Sequence, residues 1–238
     1  IRLFPTIDKT LLQKNPDDFI PSFANKSQLK HRTTGGSTGT PLTVYSDDDF
    51  LARDKANTFY YVKIFGLDIF RDRSVRLYGD RIEQKFIEDR SFGYVIEDRK
   101  LVMSCFHISE RTLGSYVKNI DNFSPTYIHT RPSSILPLAK LLARNNKRLK
   151  NQLKVIFCDG EYLTEGQCQI IENAFNCRVV NIYGHTEGAA VGVACPKSRN
   201  LHFLPQVGLI EVIGTNGQIL KNEGETGELI TTGFNNYM

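Results

Sequence analysis

The chain has 238 residues, 40% of them apolar and 24% charged, enough for one large domain with a real buried core and too apolar for disorder. Its net charge of +4, from 30 basic and 26 acidic residues, is too mild to point to nucleic acid as a partner. No apolar run approaches the ~18 residues that a membrane-spanning helix needs, so a membrane is not an expected partner either. Residues 1–5, Ile-Arg-Leu-Phe-Pro, carry neither an initiator Met nor the basic-then-apolar layout of a signal peptide, as in a trimmed or partial chain. The five cysteines are odd in number and none is spaced as Cys-x-x-Cys. That pattern gives no disulfide framework or structural zinc site and fits a reducing, cytoplasmic compartment.

The first predicted element is a helix opening at Ser46, with Asp47, Asp48 and Asp49 favourable at its positive end. Residues 75–78 read as a strand, and so do residues 126–129. After Pro132, in a plausible first helical turn, Ile135, Leu138, Ala139 and Leu142 recur at helical spacing. The apolar run 153–158 is a further strand, with Cys158 as a small core residue. Thr164-Glu165-Gly166-Gln167 is a capping-box pattern that opens a helix with Ile170, Ile171, Ala174 and Phe175 on its apolar face. Residues 178–183 form the next strand. Strands alternating with helices define the α/β class and a mostly parallel sheet. Beyond Cys195 short β-like stretches at 207–213 and 227–232 flank the hairpin signal Asn216-Gly217, so a small antiparallel β region is expected over 196–238, after an α/β core at 1–195.

Two segments carry chemistry. Thr34-Gly35-Gly36-Ser37-Thr38-Gly39-Thr40 combines three glycines, which let the backbone approach a ligand closely, with hydroxyl donors and successive amides that suit a phosphate. It is neither a Walker A loop nor a dinucleotide fingerprint, and by composition alone it reads equally well as a polar turn. Tyr183-Gly184-His185-Thr186-Glu187 follows a strand, where open parallel sheets bind ligands. Tyr183 offers a flat face to a base, Thr186 a donor to a phosphate, and Glu187 a hard oxygen ligand for Mg²⁺. A turn with a surface Glu is the plain alternative.

Taken together, the two segments resemble the phosphate loop and the Tyr-Gly-x-Thr-Glu motif of the adenylate-forming superfamily of acyl-CoA synthetases, adenylation domains and luciferases. Asp159-Gly160-Glu161 stands where that superfamily has a Gly-x-Glu element that helps hold adenine. Gly224-Glu225-Thr226-Gly227-Glu228-Leu229 resembles the stretch that precedes its ribose-binding Asp. Within the superfamily, Pro125-Thr126-Tyr127-Ile128 and Arg131-Pro132-Ser133 are similar to the phenylacetate–coenzyme A ligase branch, which includes relatives in capsular-polysaccharide biosynthesis.

The resemblance implies part of the large N-terminal domain of such an enzyme, with 1–195 as a nucleotide-binding core. It implies ATP and Mg²⁺ as cofactors, with coenzyme A as acyl acceptor and a small-molecule carboxylate as substrate. Gly35, Gly36, Ser37, Thr38, Gly39 and Thr40 would hold the β- and γ-phosphates, Thr186 the α-phosphate, Glu187 the metal and Tyr183 the adenine. Association into a homodimer is left open. The loop departs from many members in lacking a lysine near its end, where Thr40-Pro41-Leu42 stands. The ribose-binding Asp, the hinge and a C-terminal domain with the adenylation lysine would follow Met238, so this stretch alone is expected to be inactive. Two other readings stay open. One is a non-catalytic nucleotide-binding module or polysaccharide assembly factor that reuses the fold. The other is a zinc site of Cys195 and His202 with His185 or Glu187.

Overall fold

A computed structural model describes residues 5–34 and 41–236 of the chain. Gly35 to Thr40 of the expected phosphate loop lie outside the described residues.

The elements run α1 (Lys9–Lys14), β1 (Lys30–Thr33), β2 (Thr43–Ser46), α2 (Asp48–Ile64), β3 (Ser74–Tyr78), α3 (Gln84–Glu88), β4 (Gly93–Ile96), β5 (Lys100–Ser104) and α4 (Leu113–Phe123). They continue with β6 (Tyr127–Thr130), α5 (Pro132–Arg144), β7 (Val155–Cys158), α6 (Glu165–Phe175), β8 (Arg178–Gly184), β9 (Val191–Ala194), β10 (Leu201–Phe203), β11 (Gly208–Ile213) and β12 (Glu228–Gly233). The residues group into two compact units. The first takes in the chain through Thr58, Gly184–Val191 and the chain from Phe203 on; the second is Phe59–Tyr183 with Gly192–His202.

An eight-stranded sheet, ordered β10-β9-β8-β7-β6-β3-β5-β4, dominates the second unit. Strands β5, β3, β6, β7 and β8 are mutually parallel, and β4 closes the edge antiparallel to β5. The expected mostly parallel α/β sheet is therefore present. Strand β7 is covered on both faces, which is why Val155, Ile156, Phe157 and Cys158 form an unbroken apolar run, each no more than 1% exposed. On one face Ile128 and Ile156 pack with Tyr116 and Ile120 of α4, Leu138 and Leu142 of α5 and Ile171 of α6. On the other, the Phe157 ring meets Tyr61, Phe65 and Tyr127 at centroid distances of 5.6, 5.4 and 5.8 Å.

The helices follow local sequence rules. Pro132 begins α5, and its buried residues Ile135, Leu138, Ala139 and Leu142 make one stripe. Both bonds of the Thr164–Gln167 capping box form at the start of α6. Two details of α2 and α6 differ from the sequence reading. Ser46 ends β2, and Asp47 caps α2 instead, its carboxylate accepting the Phe50 amide at 2.7 Å. Ile170 is 38% exposed, because the inward face of α6 is Cys168, Ile171, Ala174 and Phe175.

In the first unit β1 and β2 form an antiparallel ribbon with Thr33 opposite Thr43, which flanks the loop. Strands β11 and β12 form a second antiparallel ribbon, in line with the expected β region. Asn216-Gly217 makes a tight turn: Gly217 has φ +76°, and its amide reaches the Gly214 carbonyl at 2.9 Å. No helix among the described residues is long and apolar enough to cross a membrane.

Candidate functional site

The C-terminal ends of β3, β6 and β7 bring Tyr78, His129, Arg131 and Asp159 together. The Asp159 amide donates to the Thr130 carbonyl at 3.1 Å, which extends the ladder between β6 and β7 by one step and fixes the carboxylate. Its Oδ1 accepts the Tyr78 hydroxyl at 2.7 Å. Its Oδ2 lies 3.0 Å from His129 Nε2, close enough for an ion-pair contact but at an angle outside good hydrogen-bond geometry. Burial works to raise the Asp159 pKa, but His129, the Tyr78 hydroxyl and the Arg131 charge outweigh it and hold the carboxyl below its ordinary range. Burial first, and the Asp159 charge second, push the Tyr78 phenol far above its usual value, so it remains a donor. Two guanidinium groups lie over the Tyr78 ring, Arg76 at 4.4 Å and Arg131 at 5.5 Å from its centroid. Arg76 is ion-paired with Asp80.

Gly160 has φ +69°, and a Cβ there would lie 3.3 Å from Arg131 Nε. Glu161 turns back to α5: its Oε2 accepts the Ser133 amide at 2.9 Å and its Oε1 the Ser133 hydroxyl at 2.6 Å. It thereby satisfies one of the orphan amides in the first turn of that helix. Of the expected adenine-side trio, Asp159 and Glu161 thus direct their carboxylates to protein partners.

The second segment begins where β8 ends at Gly184. A turn follows, closed by the Gly188 amide on the His185 carbonyl at 3.1 Å. Gly188 has φ +73°, and a Cβ there would come within 2.3 Å of the buried Phe50 ring, so both backbone and space demand glycine. Glu187 Oε2 lies 2.9 Å from His185 Nδ1. That contact, first among several causes, holds the Glu187 carboxyl below the ordinary glutamate range. The Asn236 side-chain amide donates to the carbonyls of Tyr45 at 3.2 Å and Glu187 at 3.4 Å, pinning the turn. Thr186 is half-buried in this turn, and Tyr183, 36% exposed, belongs to the second unit.

An ionised carboxylate in a loop suits Mg²⁺, which is commonly held through one or two carboxylates with substrate phosphates and waters completing the shell. Among the described residues no three His, Cys, Asp or Glu side chains are grouped to hold a metal ion. The zinc arrangement of Cys195 and His202 with His185 or Glu187 is therefore not assembled. Tyr78, His129, Phe50 and Asn236 were not singled out from the sequence. Tyr78 lies far from every motif along the chain; His129, Phe50 and Asn236 lie nearer to one, but only the strand order or a tertiary contact ties them to the site.

A groove of about 1390 Å³ lies within the first unit, between residues 5–9 and the β11–β12 ribbon. It contains none of the expected site residues.

Residues 102–238 match the AMP-binding enzyme family, and the chain belongs to it. The matched segment includes Asp159 to Glu161 and Tyr183 to Glu187 and begins after the Thr34 to Thr40 loop. The chain is 29% identical to Protein CapK of Staphylococcus aureus, across 98% of its own length and 50% of that protein. It thus spans about half the length of this curated relative. Among solved structures it is similar to 2-hydroxyisobutyryl-CoA ligase in complex with 2-HIB-AMP and CoA, with a TM-score of 0.70. The identity there is 16%, over 98% of this chain and 55% of the ligase. A long-chain-fatty-acid-CoA ligase from Archaeoglobus fulgidus matches 85% of this chain and 41% of its own at a TM-score of 0.58 and 19% identity. At such identities the likeness is one of fold.

Proposed function

We propose that the full-length protein activates a carboxylic acid with ATP and then passes the acyl group to the thiol of coenzyme A. In the first step a carboxylate oxygen attacks the α-phosphorus, its bond to pyrophosphate breaks, and acyl-AMP forms. In the second, the thiol displaces AMP. The observation that carries this reading is membership of the AMP-binding enzyme family over 102–238, the stretch that holds the post-strand segment with Glu187 kept ionised. Mg²⁺, when bound, would supply charge neutralisation at the polyphosphate. Glu187 would hold it, Thr186 would donate to the α-phosphate, and Tyr183 would pack on adenine. The loop residues Gly35, Gly36, Ser37, Thr38, Gly39 and Thr40, after Thr34, would hold the outer phosphates. Asp159, Gly160 and Glu161 would frame the adenine side, within a nucleotide-binding core at 1–195 that is followed by the β region 196–238.

ATP–pyrophosphate exchange by the full-length protein, run against a panel of carboxylic acids, tests the reading. Acid-dependent exchange is the expected result, and its absence with every acid, on protein that binds ATP, would remove the enzymatic assignment. In that case a non-catalytic nucleotide-binding role in polysaccharide assembly, favoured by the likeness to Protein CapK, becomes the better reading. The phosphate loop has a separate test. Ser37→Ala with Thr38→Ala should weaken ATP roughly ten-fold or more relative to AMP, which lacks the outer phosphates. An equal loss for both nucleotides would remove that role.

A further inference from the structure

The chain lays down the parallel strands as β3, β5, β6, β7, β8, but their spatial order is β5-β3-β6-β7-β8. After β3 the chain steps to one side, and after β5 it crosses to the other. The connections that leave β3 and β6 therefore diverge, an arrangement that in open α/β sheets leaves a crevice outside the carboxyl ends of the two strands. In open α/β sheets that switch point is where ligands bind. Here Tyr78 ends β3, Thr130 ends β6 with Arg131 next, and Asp159 follows β7.

The carboxylates of this crevice are spent on neighbouring protein groups. Asp159 is taken up by Tyr78 and His129, Asp80 by Arg76, and Glu161 by Ser133. Arg131 is exposed; its charge bears on Asp159, but its guanidinium makes no hydrogen bond or ion pair with any described residue. It lies over the Tyr78 ring, whose hydroxyl Asp159 fixes. The structure thus holds a planar fork of donors in place from behind and leaves those donors unspent.

We propose that Arg131, in this switch-point crevice, recognises a second carboxylate on the acid, so that the activated substrate is a dicarboxylic acid and not a plain alkyl or aryl acid. The inference rests on the adenylation reading above. A guanidinium fork matches a carboxylate with two parallel hydrogen bonds, whereas an apolar chain laid against it would desolvate a cation without a partner. The adenine would keep to Tyr183 and the Gly160–Glu161 side, and the acid to the outer face of the Arg131 guanidinium.

The test uses full-length protein, pyrophosphate exchange with succinate, malate, butyrate and benzoate, and the variants Arg131→Gln and Arg131→Lys. Succinate or malate should exceed butyrate and benzoate in kcat/KM by roughly ten-fold or more. Arg131→Gln should raise KM for the dicarboxylate by roughly ten- to a hundred-fold and leave KM for ATP unchanged. Arg131→Lys, which keeps the charge but loses the fork, should fall between. A preference for butyrate or benzoate, or a loss shared by all acids or by ATP, would overturn the proposal while leaving adenylation intact. If no acid supports exchange, calorimetry with succinate and malate in the absence of ATP decides separately. Binding that Arg131→Gln abolishes keeps the site and drops only adenylation; no binding to the wild type overturns the site as well.

Discussion

The two units hold their chemistry by different means. In the second, Tyr78, His129 and Asp159 extend from adjacent parallel strands whose other residues are mostly buried, and Asp159 is held from several directions. In the first, the turn after β8 depends on a few single contacts. Gly188 sits against Phe50, Asn236 holds the Glu187 carbonyl, and His185 meets the Glu187 carboxylate. A site built on a wound sheet inherits the rigidity of the sheet. A site built on a turn needs an individual residue at each support, and one change should undo it.

The largest effect expected from this difference is at Phe50 and Gly188. Phe50 is 2% exposed, and Phe50→Ala should cost about 3–5 kcal/mol, the usual range for deleting a buried ring. Gly188→Ala should also destabilise, since its Cβ would meet the ring and its φ is positive. In the Phe50→Ala background the clash is gone, so Gly188→Ala should cost less there than alone. Urea unfolding of the two single variants and the double variant reads this coupling. Strictly additive costs would mean that the turn does not rest on the ring.

The strand-end cluster should respond more mildly and in a pH-dependent way. Tyr78→Phe removes a hydrogen bond to an ionised carboxylate and should cost about 1.5–3 kcal/mol near neutral pH. The Asp159 and Glu187 carboxyls both lie below their ordinary values in the fold. Each therefore contributes stability that is fully present above its ordinary value, 3.8 for Asp159 and 4.5 for Glu187, and is lost as pH falls through the lower folded value. Acid unfolding of Tyr78→Phe and Asp159→Asn should show a flatter fall in stability over that window than the wild type. An unchanged acid limb would mean that the cluster does not hold Asp159 ionised.

Glu187 sharpens the comparison from the other side. Its carboxylate is partly exposed and pairs within its own turn, so Glu187→Gln should change stability by less than about 1 kcal/mol. Pyrophosphate exchange by the full-length protein should fall by roughly ten-fold or more if Glu187 holds the metal. A large drop in Tm with exchange preserved would reverse the assignment and make Glu187 a support of the turn.

What could be read from the sequence follows the same division. Strands β3, β6, β7 and β8 and helices α5 and α6 are legible because burial on a regular element writes a period or an unbroken apolar run, as in residues 155–158 and at Ile135, Leu138 and Leu142, whereas the parallel strand β5 is not part of the sequence reading. The capping box was legible because both partners lie within one turn. Ser46 was misread as the helix start because a strand can end directly against a cap, and Asp47 does the capping. Helix α4 is absent from the sequence reading, although Leu113, Tyr116 and Ile120 sit three and four residues apart. The Tyr78–Asp159 bond joins residues 81 apart in sequence, and no local pattern marks it. Asn236 reaches back to Tyr45 across a separation of 191. Such contacts follow from strand order and chain path, which a local reading does not contain.

The smallest effect expected tests whether the second unit tolerates the loss of one local support. At the start of α6 the Thr164 hydroxyl accepts the Gln167 amide at 3.2 Å, and the Gln167 side chain accepts the Thr164 amide at 3.0 Å. Thr164→Ala removes the first bond and leaves the second possible, so the cost should be about 1 kcal/mol. Thr164→Ser keeps the hydroxyl and should cost a few tenths at most. The helix itself stays anchored, because Ile171 and Phe175 remain buried in the core of the unit. Neither variant touches the post-strand turn, so nucleotide binding should be the same in both as in the wild type. Chemical unfolding and ATP titration on the pair make the check. A Thr164→Ala loss well beyond about 2 kcal/mol would show that the second unit, like the first, depends on single contacts, and the contrast between the units would fail.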